Sequence, residues 1–313
     1  MTAVIFTILP VFAVVFAGFL LARASLISGE GVRGFTNVTF YLFVPALLFR
    51  AMLGVHLGAL DLRPVYAYFT GALLCFLVTM VASRRWFGQS ARHATVTALA
   101  VTFSNTVLLG IPLVKLAFGD AGLVTLLTII SMHALILYST ATLFLEFGLA
   151  AGDGAAQSHW ANVWEAARNT LISPVILPIV AGLLWGALGW PVPDVVDAPL
   201  ALLGSASAPC SLVLLGASLA QYGIADHWRP AAVLSMLKNA LYPLFMWALG
   251  HFAFGLTGTA LAVVTLTAAL PMGANVFLFA QRYEVAQGEI TAAVALSTGA
   301  SVLTLTLVLL LFG

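Results

Sequence analysis

Long apolar segments fill almost the whole chain and are separated by short stretches of charges, prolines and glycines. Cutting the sequence at those stretches gives ten segments, each long enough to cross about 30 Å of hydrocarbon as a helix. They cover residues 2–22, 34–53, 64–83, 94–118, 121–147, 170–189, 199–222, 230–252, 258–281 and 290–312. A helix satisfies its own backbone groups in lipid, so the pattern predicts an all-α polytopic membrane protein with ten transmembrane helices.

The composition agrees with this class and excludes others. Of 313 residues, 62% are hydrophobic and 7% are charged, whereas a soluble domain has about 25% charged residues. The formal net charge of +1 gives no basic excess for nucleic acid. Cys75 and Cys210 lie inside apolar segments, where we expect small hydrophobic side chains and not disulfide or metal ligands. Since the sequence has no phosphate-binding loop and no metal-ligand spacing, we expect no cofactor.

Arginines in the connecting loops predict the orientation of the segments. The loops after odd-numbered segments contain Arg23, Arg33, Arg84, Arg85, Arg92, Arg168, Arg229 and Arg282, whereas the other loops contain Arg50 and Arg63. Because basic loops stay cytoplasmic, both termini are expected outside. The sequence Ala22-Arg23-Ala24 resembles a signal-peptide cleavage site, but the length of the first segment favours a membrane helix.

A polar stretch near the middle divides the chain into two halves of five segments. We predict a first repeat at 1–148, a short cytoplasmic linker at 149–164 and a second repeat at 165–313. The run ILPVFAVVFAGFLLA in the first segment is echoed by ILPIVAGLLWGAL in the sixth. Because five is an odd number, the second repeat must lie inverted in the membrane.

The fourth and ninth segments contain residues that a plain membrane helix has little reason to carry. These residues are Asn105, Thr106, Gly110 and Pro112 in FSNTVLLGIP, and Pro271, Gly273 and Asn275 in ALPMGANVF. Proline removes a backbone donor, and the freed carbonyls need partners in hydrocarbon. Pro112 and Pro271 hold matching positions in the two halves, as do Pro45 and Pro209. We therefore predict that helices 4 and 9 break at Pro112 and Pro271 and cross within the membrane.

The crossing is the predicted binding site. Half-helices that begin there direct N–H groups and positive dipole ends towards an anion. The carboxamides of Asn105 and Asn275 can donate to a carboxylate, while the carbonyls that end the first half-helices could instead hold a cation. The alternative is a pair of kinked helices whose asparagines only satisfy the broken backbone.

Two titratable residues lie deep in apolar segments. Lys238 either neutralises an anionic substrate or braces the crossing as a fixed positive charge; the alternative is that it snorkels or bonds to carbonyls at the helix breaks. His133 is a candidate proton relay, against the commoner role of a hydrogen-bonded packing residue. Ser104 and His133 could form a catalytic dyad only if the fold joined them, so an enzyme is not expected.

Five stretches, taken together, resemble the auxin efflux carrier family, in a bacterial-type member. They read FTNVTFYLFVPALLFRAM, FSNTVLLGIPLVKLAFG, SAPCSLVLLGASLA, KNALYP and ALPMGANVFLFAQRYEV, and they follow in order along nearly the whole chain. The resemblance implies ten helices in two inverted five-helix repeats, similar in fold to bile acid carriers and sodium/proton antiporters. It also implies a scaffold of helices 1, 2, 6 and 7 and a mobile transport domain of helices 3–5 and 8–10. Substrate would bind beside the crossing, against Asn105 and the scaffold around Pro45, and move by an elevator-like shift.

The function that follows is secondary active transport of a small organic anion such as malonate, malate or another carboxylate across a bacterial inner membrane. The short linker differs from the long hydrophilic loop of plant hormone carriers, so auxin is not assumed as the substrate. The coupling ion is left open between a proton and sodium, and the family resemblance is compatible with a homodimer. The alternatives are a sodium-coupled symporter of the bile acid type and a membrane sensor that does not transport.

Overall fold

The structure, a computed structural model, describes residues 2–53, 61–150, 168, 174–221 and 227–312. These residues are helical apart from short turns and one isolated β-bridge. The helices are α1 (Thr2–Arg23), α2 (Gly29–Val38), α3 (Val44–Leu53), α4 (Arg63–Phe87), α5 (Ala91–Thr102), α6 (Ile111–Ala150), α7 (Ile176–Ala187), α8 (Asp194–Leu219), α9 (Trp228–Met236), α10 (Tyr242–Ala248), α11 (Gly258–Ala269), α12 (Asn275–Arg282) and α13 (Gln287–Phe312). Wider π-helical turns cover Thr39–Phe43, Thr106–Gly110, Leu237–Leu241 and Leu249–Ala253.

Six helical stretches among the described residues are long and apolar enough to cross a bilayer. They are Gly29–Leu53, Arg63–Phe87, Thr106–Leu145, Asp194–Leu219, Trp228–Ala253 and Gln287–Phe312. Three shorter apolar helices cover Ile8–Arg23, Ile176–Ala187 and Gly258–Ala269. This is the architecture of a polytopic membrane protein. The count of ten spans and the inverted repeat stay predictions, and the linker predicted at 149–164 lies largely outside the described residues.

The 40-residue helix α6 contains the end of one predicted segment and the whole of the next. Gly119 separates them: its φ of 62° and ψ of −151° interrupt the helix. A glycine adopts a positive φ without the steric penalty of a side chain, so the chain turns at Gly119 between residues 118 and 121, where the apolar pattern ended the fourth segment and began the fifth.

Buried apolar side chains form two clusters. The first gathers α4, α5, the later part of α6 and α9–α13, and the second gathers α1, α3, the earlier part of α6, α7, α8 and parts of α11 and α13. Phe103 and Met272 belong to the first cluster, whereas Leu108 and Leu270 belong to the second. The interruptions in the fourth and ninth predicted segments therefore lie at the boundary between the two clusters.

Three of the π turns share a sequence rule, because each is followed by one residue and then by a proline. The three prolines are Pro45, Pro112 and Pro243. Proline has no N–H and its ring clashes with the carbonyl four residues earlier, so an ordinary α-helical turn cannot close there. Widening the turn by one residue relieves the clash and leaves backbone carbonyls without a helical partner. Pro209, predicted to match Pro45, instead lies inside the continuous helix α8.

Candidate functional site

The two interrupted segments meet at their breaks. Helix α5 ends at Thr102 and α11 ends at Ala269, and the extended residues that follow pair antiparallel, with Ser104 opposite Met272. The N–H of Asn105 donates to the carbonyl of Pro271 at 2.9 Å. On the other side of the pair, the N–H of Gly273 donates to the carbonyl of Phe103 at 3.0 Å. These bonds supply the partners that unwound backbone needs inside an apolar protein.

The position of the first break differs from the prediction. The chain unwinds at residues 103–105, whereas Pro112 is the second residue of α6, directly after a π turn. The widened turn accommodates the missing N–H of Pro112, so the helix continues through it. The predicted break at Pro112 is therefore wrong, since the unwound residue whose backbone pairs with Pro271 is Asn105.

Asn105 holds the first position before the second half of the broken helix. Its side chain is 7% exposed and makes no hydrogen bond to another described residue, so it does not cap that helix. The first backbone bond of the helix runs from the N–H of Gly110 to the carbonyl of Asn105, at 3.1 Å. Thr106 follows Asn105 and is also buried. The N–H of Thr106 donates to the Ser104 carbonyl at 2.9 Å. The buried carboxamide of Asn105 and the amides that follow Thr106 in the first turn are thus available to a ligand at one place.

Lys238 joins both breaks from a third helix. Its side chain is fully buried in the π turn Leu237–Leu241. Its Nζ donates to the Ser104 hydroxyl at 2.6 Å and to the Ala268 carbonyl at 3.0 Å, and it lies 4.7 Å from the ring centroid of Tyr242. This geometry excludes a side chain that snorkels to the surface, and it agrees both with a charge that braces the crossing and with the alternative of a lysine that bonds to carbonyls at the helix breaks.

His133 lies behind the first break. It is 2% exposed, its ring is 4.5 Å from that of Phe103, and its Nε2 lies 3.2 Å from the hydroxyl of Tyr68. The Ser104 hydroxyl accepts from Lys238, and no hydrogen bond among the described residues joins Ser104 to His133, so the dyad that the sequence left open does not form.

Two glycines allow the breaks to approach closely. A Cβ on Gly273 would lie 2.8 Å from the Phe103 ring and 3.3 Å from the Ser104 carbonyl. A Cβ on Gly110 would lie 2.8 Å from the Leu270 side chain. The two distances of 2.8 Å are shorter than ordinary contacts between carbon atoms, so each glycine permits close packing across the crossing.

Two predicted site residues lie at the edge of this arrangement. Asn275, the first residue of α12, is exposed. Pro45 is half-buried at the start of α3, behind its own π turn. No measured contact among the described residues joins Asn275 or Pro45 to Asn105, so the carboxamides of Asn105 and Asn275 do not form a direct pair.

Aromatic residues around the first break were not predicted from the sequence. Phe103 stacks on Tyr138 with ring centroids 4.7 Å apart, and Tyr138 stacks on Phe279 at 5.5 Å. Tyr68 and Tyr138 carried a weak signal, because a tyrosine in an apolar segment needs a partner for its hydroxyl. Which partner it finds depends on the fold, so the sequence could not place either tyrosine at the crossing.

The charge at the crossing has one sign. Among the residues whose side chains the structure describes, Lys238 is the only buried lysine, arginine, aspartate or glutamate. Arg50 and Asp197, which join α3 to α8, form a half-exposed ion pair away from the breaks. The surroundings of Asn105 therefore offer donors and positive charge, which suit an anion.

Comparisons with known proteins agree along nearly the full length. A family model described as "Membrane transport protein" matches residues 3–309. A protein of Rhizobium meliloti (strain 1021) named "Putative malonate transporter" is 25% identical over 304 residues, covering 96% of this chain and 92% of that protein. "Auxin efflux carrier component 8" of Arabidopsis thaliana is 24% identical over 322 residues, covering 88% of each. An uncharacterised transporter of Escherichia coli (strain K12) is 23% identical over 296 residues, covering 93% of this chain and 91% of its own.

The family model spans almost the whole chain, and the relatives are aligned over most of their own length. The protein is a membrane transporter and belongs to the membrane transport protein family that includes the auxin efflux carriers.

Proposed function

We propose that this protein is a secondary active transporter of a small organic anion, with malonate, malate or a similar carboxylate as the substrate class. The observation that carries the proposal is the unpaired, buried carboxamide of Asn105, held where the two helix breaks pair with each other. The relative from Rhizobium meliloti, whose printed name refers to malonate, supports the same substrate class.

The chemistry of the site supports a carboxylate as ligand. The Asn105 carboxamide can donate to one carboxylate oxygen, and the amides that begin the following helix add donors and a favourable dipole. Lys238 contributes positive charge through the Ser104 hydroxyl, which is adjacent to Asn105 in the chain. No buried carboxylate among the described residues opposes a negative ligand.

The position of the breaks supports an elevator-like movement. They lie where the buried cluster of α4, α5, the later part of α6 and α9–α13 meets the cluster of α1, α3, α7 and α8, to which the earlier part of α6 and parts of α11 and α13 also belong. In the proposed cycle, the first cluster moves as the transport domain against a scaffold built on the second. A ligand bound at Asn105 would travel with the transport domain and exchange sides of the membrane.

The proposed setting is a bacterial inner membrane with both termini outside. No nucleotide-binding motif supplies energy, so the driving force is an ion gradient or the membrane potential. A negative interior favours outward movement of an anion by about 2.3 kcal/mol per charge per 100 mV. Import therefore requires a coupled cation.

The experiment is flux in proteoliposomes that contain the purified protein. Malonate, malate, succinate and indole acetate are tested under separately imposed proton, sodium and potassium-diffusion gradients. The matched variants are Asn105→Ala at the crossing and Asn37→Ala on α2, where the same side chain is exposed. We expect flux of at least one carboxylate in the wild type and in Asn37→Ala, with a large loss in Asn105→Ala.

Two results would contradict the proposal. Flux of a carboxylate that is equal in Asn105→Ala and Asn37→Ala would place the site elsewhere. Folded protein that binds a carboxylate but moves none under any gradient would support a membrane sensor instead. Flux that requires sodium would favour the symporter of the bile acid type.

A further inference from the structure

Lys238 is fully buried, yet no carboxylate among the described residues accompanies it. The described groups at its Nζ are the Ser104 hydroxyl at 2.6 Å, the Ala268 carbonyl at 3.0 Å and the ring of Tyr242 at 4.7 Å from its centroid. A permanently charged side chain would normally be compensated by an opposite charge in such a place. We propose that Lys238 is the proton-binding site of the transport cycle, protonated when the anion is bound and able to release its proton when the anion leaves. This inference rests on the proposed transport of an anion.

Both protonation states of the amine find partners at this position. The ammonium form has three donors, and it can direct two to Ser104 and Ala268 and the third to the face of the Tyr242 ring. The neutral amine can donate to the Ala268 carbonyl and accept from the Ser104 hydroxyl, because a hydroxyl is both donor and acceptor. Rotation of one O–H bond therefore accommodates loss of the proton without rebuilding the site.

The anion and the proton are expected to favour each other. Ser104 bonds to the amine of Lys238 and directly precedes Asn105 in the chain. An anion held at Asn105 would therefore be separated from the amine by a single residue, Ser104. A nearby negative charge stabilises the protonated form of an amine, and by linkage the protonated amine strengthens binding of the anion. Movement of both together would reduce the charge carried across the membrane by one unit per anion.

The other titratable groups near Lys238 leave it as the group best placed to carry the proton. The Tyr242 ring on α10 lies 4.7 Å from Nζ at its centroid, Cys75 on α4 and His133 on α6 interact electrostatically with the amine, and Tyr68 on α4 bonds to His133. His93 of α5 and Glu289 of α13 lie in the first turns of those helices and pair with each other at 3.0 Å. At the breaks themselves, these two helices present hydroxyls and backbone amides.

His133 lies behind the first break, with its Nε2 3.2 Å from the Tyr68 hydroxyl. Its role as a proton relay stays a prediction, and Lys238 is the group that binds the proton in this proposal.

The sequence makes a direct measurement possible, because the chain contains two lysines, Lys115 and Lys238. Protein labelled with carbon-13 at the lysine ε position gives two signals by nuclear magnetic resonance, and Lys115→Arg assigns them. Lys115 is half-exposed and paired with Asp120, so it serves as an internal control. The spectra are recorded from about pH 5 to about pH 10, which covers the range reported for buried lysines.

We expect the Lys238 signal to titrate within that range and its midpoint to rise on saturation with malonate. A rise of about one pH unit corresponds to a tenfold coupling between anion and proton. The Lys115 signal is the control and should not respond to malonate. A Lys238 signal that stays in one protonation state throughout would overturn the proposal. The proposal would also be overturned if malonate binds but the midpoint of the Lys238 signal stays unchanged.

Proton movement in proteoliposomes gives a second test. With a pH-sensitive dye inside, wild-type malonate uptake should carry protons inward, and Lys238→Arg should lose that proton signal because arginine stays charged. Lys115→Arg is the matched control and should behave as the wild type. The same number of protons moved per malonate in Lys238→Arg as in Lys115→Arg would contradict the inference. If no carboxylate is transported at all, the proposed function fails, while the ligand-free titration still decides whether Lys238 binds and releases a proton.

Discussion

The backbone N–H of Asn105 donates to the carbonyl oxygen of Pro271 across the boundary of two interrupted helices, at 2.9 Å. This bond uses the main chain of both residues and leaves the Asn105 side chain unengaged. The unwound backbone is thus satisfied by the other break, and the carboxamide need not repair it. The reading of Asn105 as a residue that only caps a kinked helix does not fit this geometry.

A disulfide across the crossing tests the pairing itself. Ser104 and Met272 face each other between the two flanking backbone bonds, as a non-hydrogen-bonded antiparallel pair. Such pairs have Cα atoms about 4.5 Å apart, within the range that a disulfide spans. In a background with Cys75→Ser and Cys210→Ser, we expect Ser104→Cys with Met272→Cys to oxidise to one intramolecular disulfide. Mass spectrometry of the linked peptides measures it, and each single cysteine variant is the control. Two free thiols after mild oxidation would contradict the pairing.

The sequence predicted the interruptions because their signals are local. Proline and glycine in apolar segments have few structural explanations, and FSNTVLLGIP and ALPMGAN each carry both. The exact break was placed seven residues too late, at Pro112 instead of Asn105, because proline is the stronger local signal. A helix unwinds where another segment supplies partners for its freed backbone groups, and a proline without such a segment only widens one turn. The backbone partner of Asn105 is Pro271, which is far away in the sequence.

Lys238 shows the complementary limit. For a lysine deep in an apolar segment, the sequence left a substrate contact or a brace against a side chain that snorkels or bonds to carbonyls at the helix breaks. Its contacts with Ser104 and Ala268 come from two other segments, so only the fold could show that it does not snorkel. The aromatic neighbours of Phe103 were missed for the same reason, since nothing in an apolar stretch tells which tyrosine lies beside it.

Loss of the Asn105 carboxamide should weaken transport without unfolding the protein. A hydrogen bond to a charged ligand contributes about 1.5–3 kcal/mol, so Asn105→Ala should lower kcat/KM for the carboxylate by about 10-fold to 100-fold. Because the side chain has no partner among the described residues, the thermal midpoint should change little. Initial rates in proteoliposomes and a melting curve in detergent measure the two effects. A loss of stability as large as the loss of flux would indicate a structural role.

The π turn before Pro112 should depend on that proline. In Pro112→Ala the restored N–H can bond to the carbonyl four residues earlier, and the turn Thr106–Gly110 can tighten to an ordinary α-helix. Removing one residue from the turn rotates the preceding chain by about 100° and would misplace Asn105. We expect transport to fall at least tenfold while the protein inserts and folds. Pro199→Ala, inside α8 and without a π turn, is the matched control and should transport normally. Wild-type rates in Pro112→Ala would show that the turn is not needed.

The ion pair between Arg50 and Asp197 should contribute modestly to stability. The pair is bidentate, with Nε–Oδ1 at 2.7 Å and Nη2–Oδ2 at 2.9 Å, and it joins α3 to α8. Both side chains are about one-third exposed, so solvent screens the attraction and we expect a coupling of about 0.5–1 kcal/mol. A double-mutant cycle with Arg50→Ala and Asp197→Ala measures it from denaturation midpoints. Additive effects of the two substitutions would mean that the pair contributes nothing.

A methyl group on Gly273 should separate the two breaks. In Gly273→Ala the new Cβ would lie 2.8 Å from the Phe103 ring, whose packing against His133 and Tyr138 leaves it little room to move. Overpacking of this kind costs about 1–3 kcal/mol, and here it also strains the bond from the Gly273 N–H to the Phe103 carbonyl. We expect a lower thermal midpoint and a loss of flux together. Gly299→Ala on α13 makes the same chemical change where no atom lies within 4 Å of the new Cβ, and there alanine should stabilise the helix slightly. The two variants should therefore change the melting temperature in opposite directions. A Gly273→Ala protein as stable and active as Gly299→Ala would show that the breaks do not depend on this close approach.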